Sequence, residues 1–139
     1  MRRAGQWDVL LVIAAGGALG SLARYGLTVA LPHPRGGLAL STLLANVLGC
    51  LLIGVLMVVI SQLAQPHRLL RPFLGIGLLG GFTTFSTYVV DAMRSVLEGR
   101  PGLAIGYAVG SVLASLVAVA AGMLVTRAVI RRARQAGGA

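Results

Sequence analysis

The chain has 139 residues, of which 57% are hydrophobic and only 11% are charged. A soluble core of this size cannot bury so much apolar surface, so the composition predicts a polytopic membrane protein. All twelve basic residues are arginines, against three acids. Because these arginines flank apolar segments, we interpret the net charge of +9 as anchoring to lipid headgroups and expect no nucleic-acid partner.

Four apolar segments follow one another, at about residues 7–31, 38–63, 69–97 and 103–126, before a basic tail at 127–139. Each is long enough to cross a bilayer as a helix. We therefore predict an all-α membrane protein in which residues 1–139 form one domain of four transmembrane helices, surrounded by membrane lipid.

The first span carries a small-residue motif and one charge. Gly16 and Gly20 lie four residues apart, a spacing typical of closely packed membrane helices. Arg24 follows near the end of the span, where its guanidinium could either reach the interface or lie in an aqueous vestibule that attracts anions.

The second span carries a narrow polar stripe. Thr42, Asn46, Cys50 and Gly54 recur every four residues and so share one helix face. We interpret Cys50 as a packing residue. Asn46 differs, because an amide in hydrocarbon needs a hydrogen-bond partner, and we favour a functional role for it.

The third span contains Gly80-Gly81-Phe82-Thr83-Thr84-Phe85-Ser86-Thr87 near its middle. Glycine and threonine are poor helix formers, and a broken helix in hydrocarbon is tolerated only where its freed backbone groups face protein, water or an ion. We therefore predict a break near mid-membrane that serves as a site. Carbonyls of the half-helix ending near Gly80 would suit a small cation if two chains met there around a two-fold axis.

The fourth span carries two neighbouring stripes. Small residues at every fourth position predict a close-packing face, formed by Gly106, Gly110, Ala114, Ala118 and Gly122. One residue further along, a polar stripe contains Tyr107, Ser111 and Ser115.

The side chains do not support enzyme chemistry. Both histidines, His33 and His67, fall in loops, and the sequence has no carboxylate pair and no phosphate-binding glycine loop. A proton-coupled multidrug-type exporter needs an acid within the membrane, whereas Asp91 is expected towards the end of its span. Neutral amides, hydroxyls and the aromatic edges of Phe85 and Tyr88 suit the passage of a small hard anion. The exporter and a non-transporting membrane assembly protein stay open as alternatives.

Arginine counts bear on orientation. Eight arginines fall on the side that holds both termini, and four fall on the opposite side. The positive-inside rule therefore favours cytoplasmic termini.

Three motifs resemble the bacterial fluoride channels of the Fluc (CrcB) family. They are GGALGSLARY at 16–25, STLLANVLG at 41–49 and GGFTTFSTY at 80–88, and the similarity extends over essentially the whole chain. The resemblance implies a fluoride-selective channel in the bacterial inner membrane, through which fluoride leaves the cytoplasm passively. It also implies a dual-topology homodimer with two pores and a central structural sodium ion (Na+).

The resemblance further implies roles for individual residues. The main-chain carbonyls of Gly80 and Thr83 would hold the sodium ion, and Arg24 would lie in the vestibule. The other matching positions would line the fluoride pathway: Asn46, Phe85, Thr87, Tyr88, Tyr107, Ser111 and Ser115. Ser86, a neutral hydroxyl between Phe85 and Thr87, is expected on the same path.

Two features depart from the family pattern. Tyr88 stands where the family usually has a second phenylalanine, so its hydroxyl could donate to the anion or narrow the pore. The eight-to-four arginine ratio differs from the near-even count that accompanies dual insertion. An oppositely oriented paralogue is therefore an alternative partner to a second identical chain.

Overall fold

Five helices make up the part of the chain that the structure describes. This computed structural model describes residues 4–32 and 39–136, with side chains described from residue 6 onwards. Helix α1 is Ala4–Ala30 and α2 is Leu40–Gln62. Helix α3 is π-helical over Arg71–Leu79 and α-helical over Gly80–Phe82. Helix α4 is Ser86–Leu97 and α5 is Pro101–Ala136, and no strand occurs in these ranges.

Four helical stretches are long and apolar enough to cross a membrane. They are Gln6–Ala30, Leu40–Gln62, Arg71–Leu97 (α3 followed by α4) and Pro101–Ala136. The prediction of an all-α chain with four such stretches is confirmed. The last helix does not stop near residue 126, because it continues through residues 127–136 of the basic tail.

Helix α1 packs so closely on α3 that backbone meets backbone. A Cβ added to Gly16 would approach the carbonyl oxygen of Phe73, and one added to Gly20 would overlap the carbonyl oxygen of Leu78. The predicted close contact at Gly16 and Gly20 is therefore confirmed, and its partner is the first half of the third span.

Helices α2 and α5 run parallel. Near their starts, the Tyr107 hydroxyl donates to the Ala39 carbonyl at 3.4 Å, and at their ends Arg134 Nη2 donates to Gln62 Oε1 at 2.6 Å. The same face of α2 is therefore covered by α5 from one end to the other.

Only the second half of the small-residue stripe on α5 packs within the chain. A Cβ at Gly122 would overlap the backbone of α2, whereas one at Gly106 or Gly110 would meet no atom within 4 Å. The predicted packing face is thus used within the chain in its second half, and its first half is left open. The reason is the rotation of α5, which turns Tyr107 and Ser111 inwards at that level, where both are buried.

The third span is helical on either side of Thr83, Thr84 and Phe85. Thr83 has extended backbone angles (φ −84°, ψ 158°), although its N–H still donates to the Leu79 carbonyl at 3.0 Å. Gly81 remains helical and is packed against the backbone of α1. The helical first half therefore ends at Phe82.

Of the two histidines predicted to lie in loops, the structure describes one. His67 lies in an exposed turn, and its Nδ1 accepts the Leu69 N–H at 3.3 Å. His33 lies outside the described residues, as do three arginines of the orientation count, Arg2, Arg3 and Arg35.

Candidate functional site

A cleft of about 500 Å³ opens beside the non-helical stretch of the third span. Its wall combines apolar side chains with hydroxyl, amide and aromatic groups, and none of the described residues that line it is charged. Seven of the residues predicted from the sequence meet in this wall: Asn46, Gly80, Thr83, Phe85, Tyr88, Ser111 and Ser115. The cleft can therefore offer neutral hydrogen-bond donors to a small solute.

Four predicted residues do not belong to the wall of the cleft. Ser86 is exposed, Thr87 is half-buried and Tyr107 is buried on the far side of Tyr88. Arg24 lies on α1, against the end of α3.

The amide of Asn46 is paired with the backbone of Thr84. Asn46 Nδ2 donates to the Thr84 carbonyl at 2.9 Å, and the Thr84 N–H donates to Asn46 Oδ1 at 2.8 Å. One side chain thus satisfies both polar groups of a residue that has left the helix. The need of Asn46 for a partner, expected from the sequence, is met by main chain.

Thr84 also organises the start of α4. Its Oγ1 accepts the Thr87 N–H at 3.2 Å, donates to Thr87 Oγ1 at 3.1 Å and lies 3.2 Å from Ser86 Oγ. A hydroxyl that accepts an N–H three residues ahead is the usual way to cap the first turn of a helix. The hydroxyls of Ser86 and Thr87 are therefore engaged with Thr84 and hold α4 in place.

The carbonyls of Gly80 and Thr83 lack the donors that a continuous helix would supply. In such a helix the N–H groups of Thr84 and Thr87 would donate to them. Here the Thr84 N–H donates to Asn46 and the Thr87 N–H donates to the Thr84 hydroxyl. Carbonyl oxygens without a helical donor are ligands that a small monovalent cation can use. One chain supplies two such carbonyls here, which are too few to surround a cation.

Three aromatic rings form a row that starts in the cleft wall, with Phe85 and Tyr88, and continues behind it, with Tyr107. The centroids of Phe85 and Tyr88 are 5.4 Å apart, and those of Tyr88 and Tyr107 are 5.8 Å apart, with tilted planes in both pairs. The Tyr88 hydroxyl donates to the Ala108 carbonyl at 3.1 Å. Of the two roles expected for this hydroxyl, donation to an anion would require it to leave Ala108.

Ser111 presents a buried hydroxyl that has no partner. It is 5% exposed, and its Oγ makes no hydrogen bond within the part of the chain that the structure describes. The Oγ atom itself is closed to solvent, so a solute in the cleft reaches it only when a neighbouring side chain moves. Ser115 lines the same wall one turn further along α5.

Asp91, predicted to lie towards an end of its span, is buried. It is 9% exposed, its Oδ2 accepts the Thr42 hydroxyl at 3.0 Å, and its Oδ1 lies 4.0 Å from Arg94 Nη1. Sequence reasoning missed this pairing. Spacing was the available signal for the burial of Asp91. Asp91 follows Thr87, which is half-buried, by four residues and so shares its face of α4.

The hydrogen bond that Arg24 makes to α3 is with the backbone and not with a side chain. Its Nε donates to the Gly81 carbonyl at 3.2 Å, and the residue is half-buried. A cation at the carboxyl end of a helix is favourable, because the unpaired carbonyls there carry partial negative charge. This contact fixes Arg24 beside the non-helical stretch, and its place in an aqueous vestibule stays a prediction.

Comparison with known proteins gives consistent results along the chain. Residues 11–123 match the family described as "CrcB-like protein, Camphor Resistance (CrcB)". A protein of Thermobifida fusca named "Fluoride-specific ion channel FluC 2" is 47% identical over 129 residues, which cover 93% of this chain and 96% of that protein. One of Nocardia farcinica with the same name is 50% identical over 115 residues, covering 82% and 81%. "Fluoride-specific ion channel FluC" of Paracoccus denitrificans is 45% identical over 117 residues, covering 84% and 93%.

These matches extend across all four apolar stretches, and the residues of the cleft lie within the matched range. The chain is therefore a multi-pass membrane protein, and it belongs to the CrcB-like family.

Proposed function

We propose that this protein is a fluoride-selective channel that lets fluoride leave the bacterial cytoplasm passively. The observation that carries the proposal is the cleft itself, whose lining is neutral and includes the Asn46 amide, several hydroxyl residues and the rings of Phe85 and Tyr88. Relatives at 45–50% identity are named fluoride-specific ion channels, which supports the same ion for this chain. The activity is conduction and not catalysis.

The neutral lining suits conduction of a strongly hydrated anion. An ion that leaves water must be compensated by donors, yet it must also be released at the other end. Hydroxyls and the positive edges of aromatic rings stabilise an anion less than a buried arginine does. We therefore propose that fluoride passes along Phe85, Tyr88, Ser111 and Ser115.

The other pathway residues have supporting parts in this proposal. Asn46, Ser86 and Thr87 hold the non-helical stretch and the first turn of α4, as their hydrogen bonds with Thr84 indicate. Tyr107 packs behind Tyr88, and Arg24 attracts anions towards the cleft while it remains bonded to α3.

We further propose that the functional unit is a dual-topology dimer whose two-fold axis passes near the interruption of the third span, at mid-membrane. The side chain of Phe85 is 75% exposed beside the cleft, and Gly106 and Gly110 have open space around them. A second copy of opposite orientation could cover Phe85 and the two glycines. It would also double the number of backbone carbonyls near the interruption. A structural sodium ion bound by Gly80 and Thr83 from each copy is part of the same proposal.

The arginine ratio makes orientation a question for experiment. In a Cys50→Ser background, Ala136→Cys or Gly102→Cys would be labelled on intact cells with a membrane-impermeant maleimide. Dual insertion predicts that roughly half of each population is labelled. Labelling of one variant and not the other would contradict it, and would favour pairing with an oppositely oriented paralogue.

The function itself is tested with liposomes. Purified protein is reconstituted into vesicles loaded with potassium fluoride, and release is followed with a fluoride electrode after valinomycin opens a path for potassium. The proposal predicts rapid fluoride release without a proton gradient. Release that requires such a gradient would instead support the exporter, for which the buried Asp91 carboxylate is the relevant observation. An assembly protein would release no fluoride in either condition.

A further inference from the structure

A second cavity lies far from the cleft, where α2 ends and the last turns of α5 continue beyond it. Its volume is about 210 Å³, and its lining consists of Val58, Gln62, Arg127, Ile130, Arg131 and Arg134. Half of these residues are arginines. The proposed fluoride pathway does not use any of them.

The three arginines of the cavity share one face of α5. Arg127, Arg131 and Arg134 are spaced at intervals of four and three residues, which brings their side chains together on a helix. Arg132 lies between them in sequence but is not part of the lining. The chain therefore offers a neighbouring arginine of the same helix as an internal control.

No acidic side chain in the described part of the chain compensates this charge. The chain has three acidic residues, and none of them lines the cavity. Asp8 is paired with Arg68 at 2.6 Å and Asp91 is buried against Thr42. Glu98 directly follows α4 and lies at the opposite ends of the helices from Gln62. The polar contact shown within the cavity is between Arg134 and the neutral amide of Gln62, at 2.6 Å.

The cavity is also placed at a change of polarity. Gln62 ends the apolar helix α2, while Val58 and Ile130 add apolar side chains to the lining beside the arginines. A ligand that fits has an anionic group among the guanidinium groups and an apolar body against Val58 and Ile130. Basic pockets between helices at a membrane surface have this character where they bind anionic lipid headgroups.

We propose that this cavity binds the headgroup phosphate of an anionic phospholipid, with its acyl chains against Val58 and Ile130. Three guanidinium groups donate to the phosphate oxygens, and arginine suits this role because its planar fork matches phosphate geometry. A zwitterionic lipid is a poorer ligand, since its ammonium group would be placed among three positive charges. Free phosphate has no acyl chains and therefore gains nothing from contact with Val58 and Ile130.

Native mass spectrometry of the full-length protein in detergent tests this proposal. Protein would be titrated with phosphatidylglycerol, with phosphatidylcholine of the same chain length, and with inorganic phosphate. The wild type is expected to retain phosphatidylglycerol in preference to the other two. The combined variant Arg127→Gln, Arg131→Gln and Arg134→Gln should bind it at least about tenfold more weakly, since each basic residue near a membrane surface contributes to the attraction.

Control variants distinguish lipid binding in this cavity from attraction by the overall positive charge of the helix. Arg132→Gln removes one charge from the same helix and should bind phosphatidylglycerol as the wild type does. If the triple variant is not monodisperse, Arg131→Gln alone is used, with a smaller loss expected in the same direction. Equal retention of phosphatidylcholine, equal loss in Arg132→Gln, or unchanged binding in the arginine variants would overturn the proposal. Competition by inorganic phosphate at millimolar concentration would do so as well, because it would identify a plain anion site.

Discussion

Asn46 and Thr84 are joined by a pair of hydrogen bonds in which a side-chain amide takes the place of a backbone partner. The two distances are 2.9 Å and 2.8 Å. Asn46 thereby redirects the N–H that would otherwise return to the Gly80 carbonyl. The residue expected to line an anion path is therefore also the one that holds the third span out of helical geometry at this point.

The first prediction concerns Asn46→Ala. It leaves the N–H and carbonyl of Thr84 without partners, at a cost of about 1–3 kcal/mol, and should slow fluoride flux without unfolding the protein. Flux is measured by the liposome assay, and assembly by size-exclusion chromatography. If the variant is intact and its fluoride flux is unchanged, Asn46 neither lines the fluoride pathway nor supports it.

The second prediction compares two buried serines whose hydroxyls have no partner in the described chain, Ser111 and Ser41. Ser111 lines the cleft and Ser41 does not. A hydrogen bond to a charged group is worth about 1.5–3 kcal/mol, so Ser111→Ala should lower fluoride flux roughly ten- to hundredfold. Ser41→Ala should leave flux near the wild-type value. Equal effects of the two changes would show that a buried hydroxyl matters here for packing alone.

The third prediction concerns the contact of α1 with α3. Gly20→Ala would place a methyl group onto the Leu78 carbonyl, whereas Gly26→Ala meets nothing within 4 Å. Overpacking of this kind costs typically 1–3 kcal/mol, as an order of magnitude, so Gly20→Ala should lower the melting temperature in detergent. Gly26→Ala should not lower it. A normal melting curve for Gly20→Ala would contradict the backbone contact.

The fourth prediction concerns sodium. If carbonyls of Gly80 and Thr83 bind the ion in the folded protein, the melting temperature should rise with sodium concentration, because a ligand of the native state stabilises it by mass action. N-methylglucamine chloride at equal ionic strength is the control. Coincident melting curves in the two salts would argue against a bound cation.

The sequence predicted much of this architecture because hydrophobic length and small-residue spacing are local properties. The four apolar helices and the close approach at Gly16 and Gly20 follow from them directly. Thr42 and Asn46, on the polar stripe predicted for α2, make hydrogen bonds to the side chain of Asp91 and to the backbone of Thr84 on the third span.

The remaining features depend on which side of each helix meets a neighbour. The π-helical turns of Arg71–Leu79 shift hydrogen bonds by one residue without altering the apolar pattern, so composition does not reveal them. The rotation of α5 decides that Ser111 faces inwards while Gly110 faces outwards. Likewise, the burial of Asp91 depends on the proximity of Thr42 on another helix.

The central claim is selective, passive fluoride conduction, and it is tested most directly by comparing two anions in the same vesicles. Liposomes loaded with equal potassium fluoride and potassium chloride, with valinomycin and no proton gradient, should release fluoride rapidly and retain chloride. Release of both anions at similar rates, or of neither, would contradict the account.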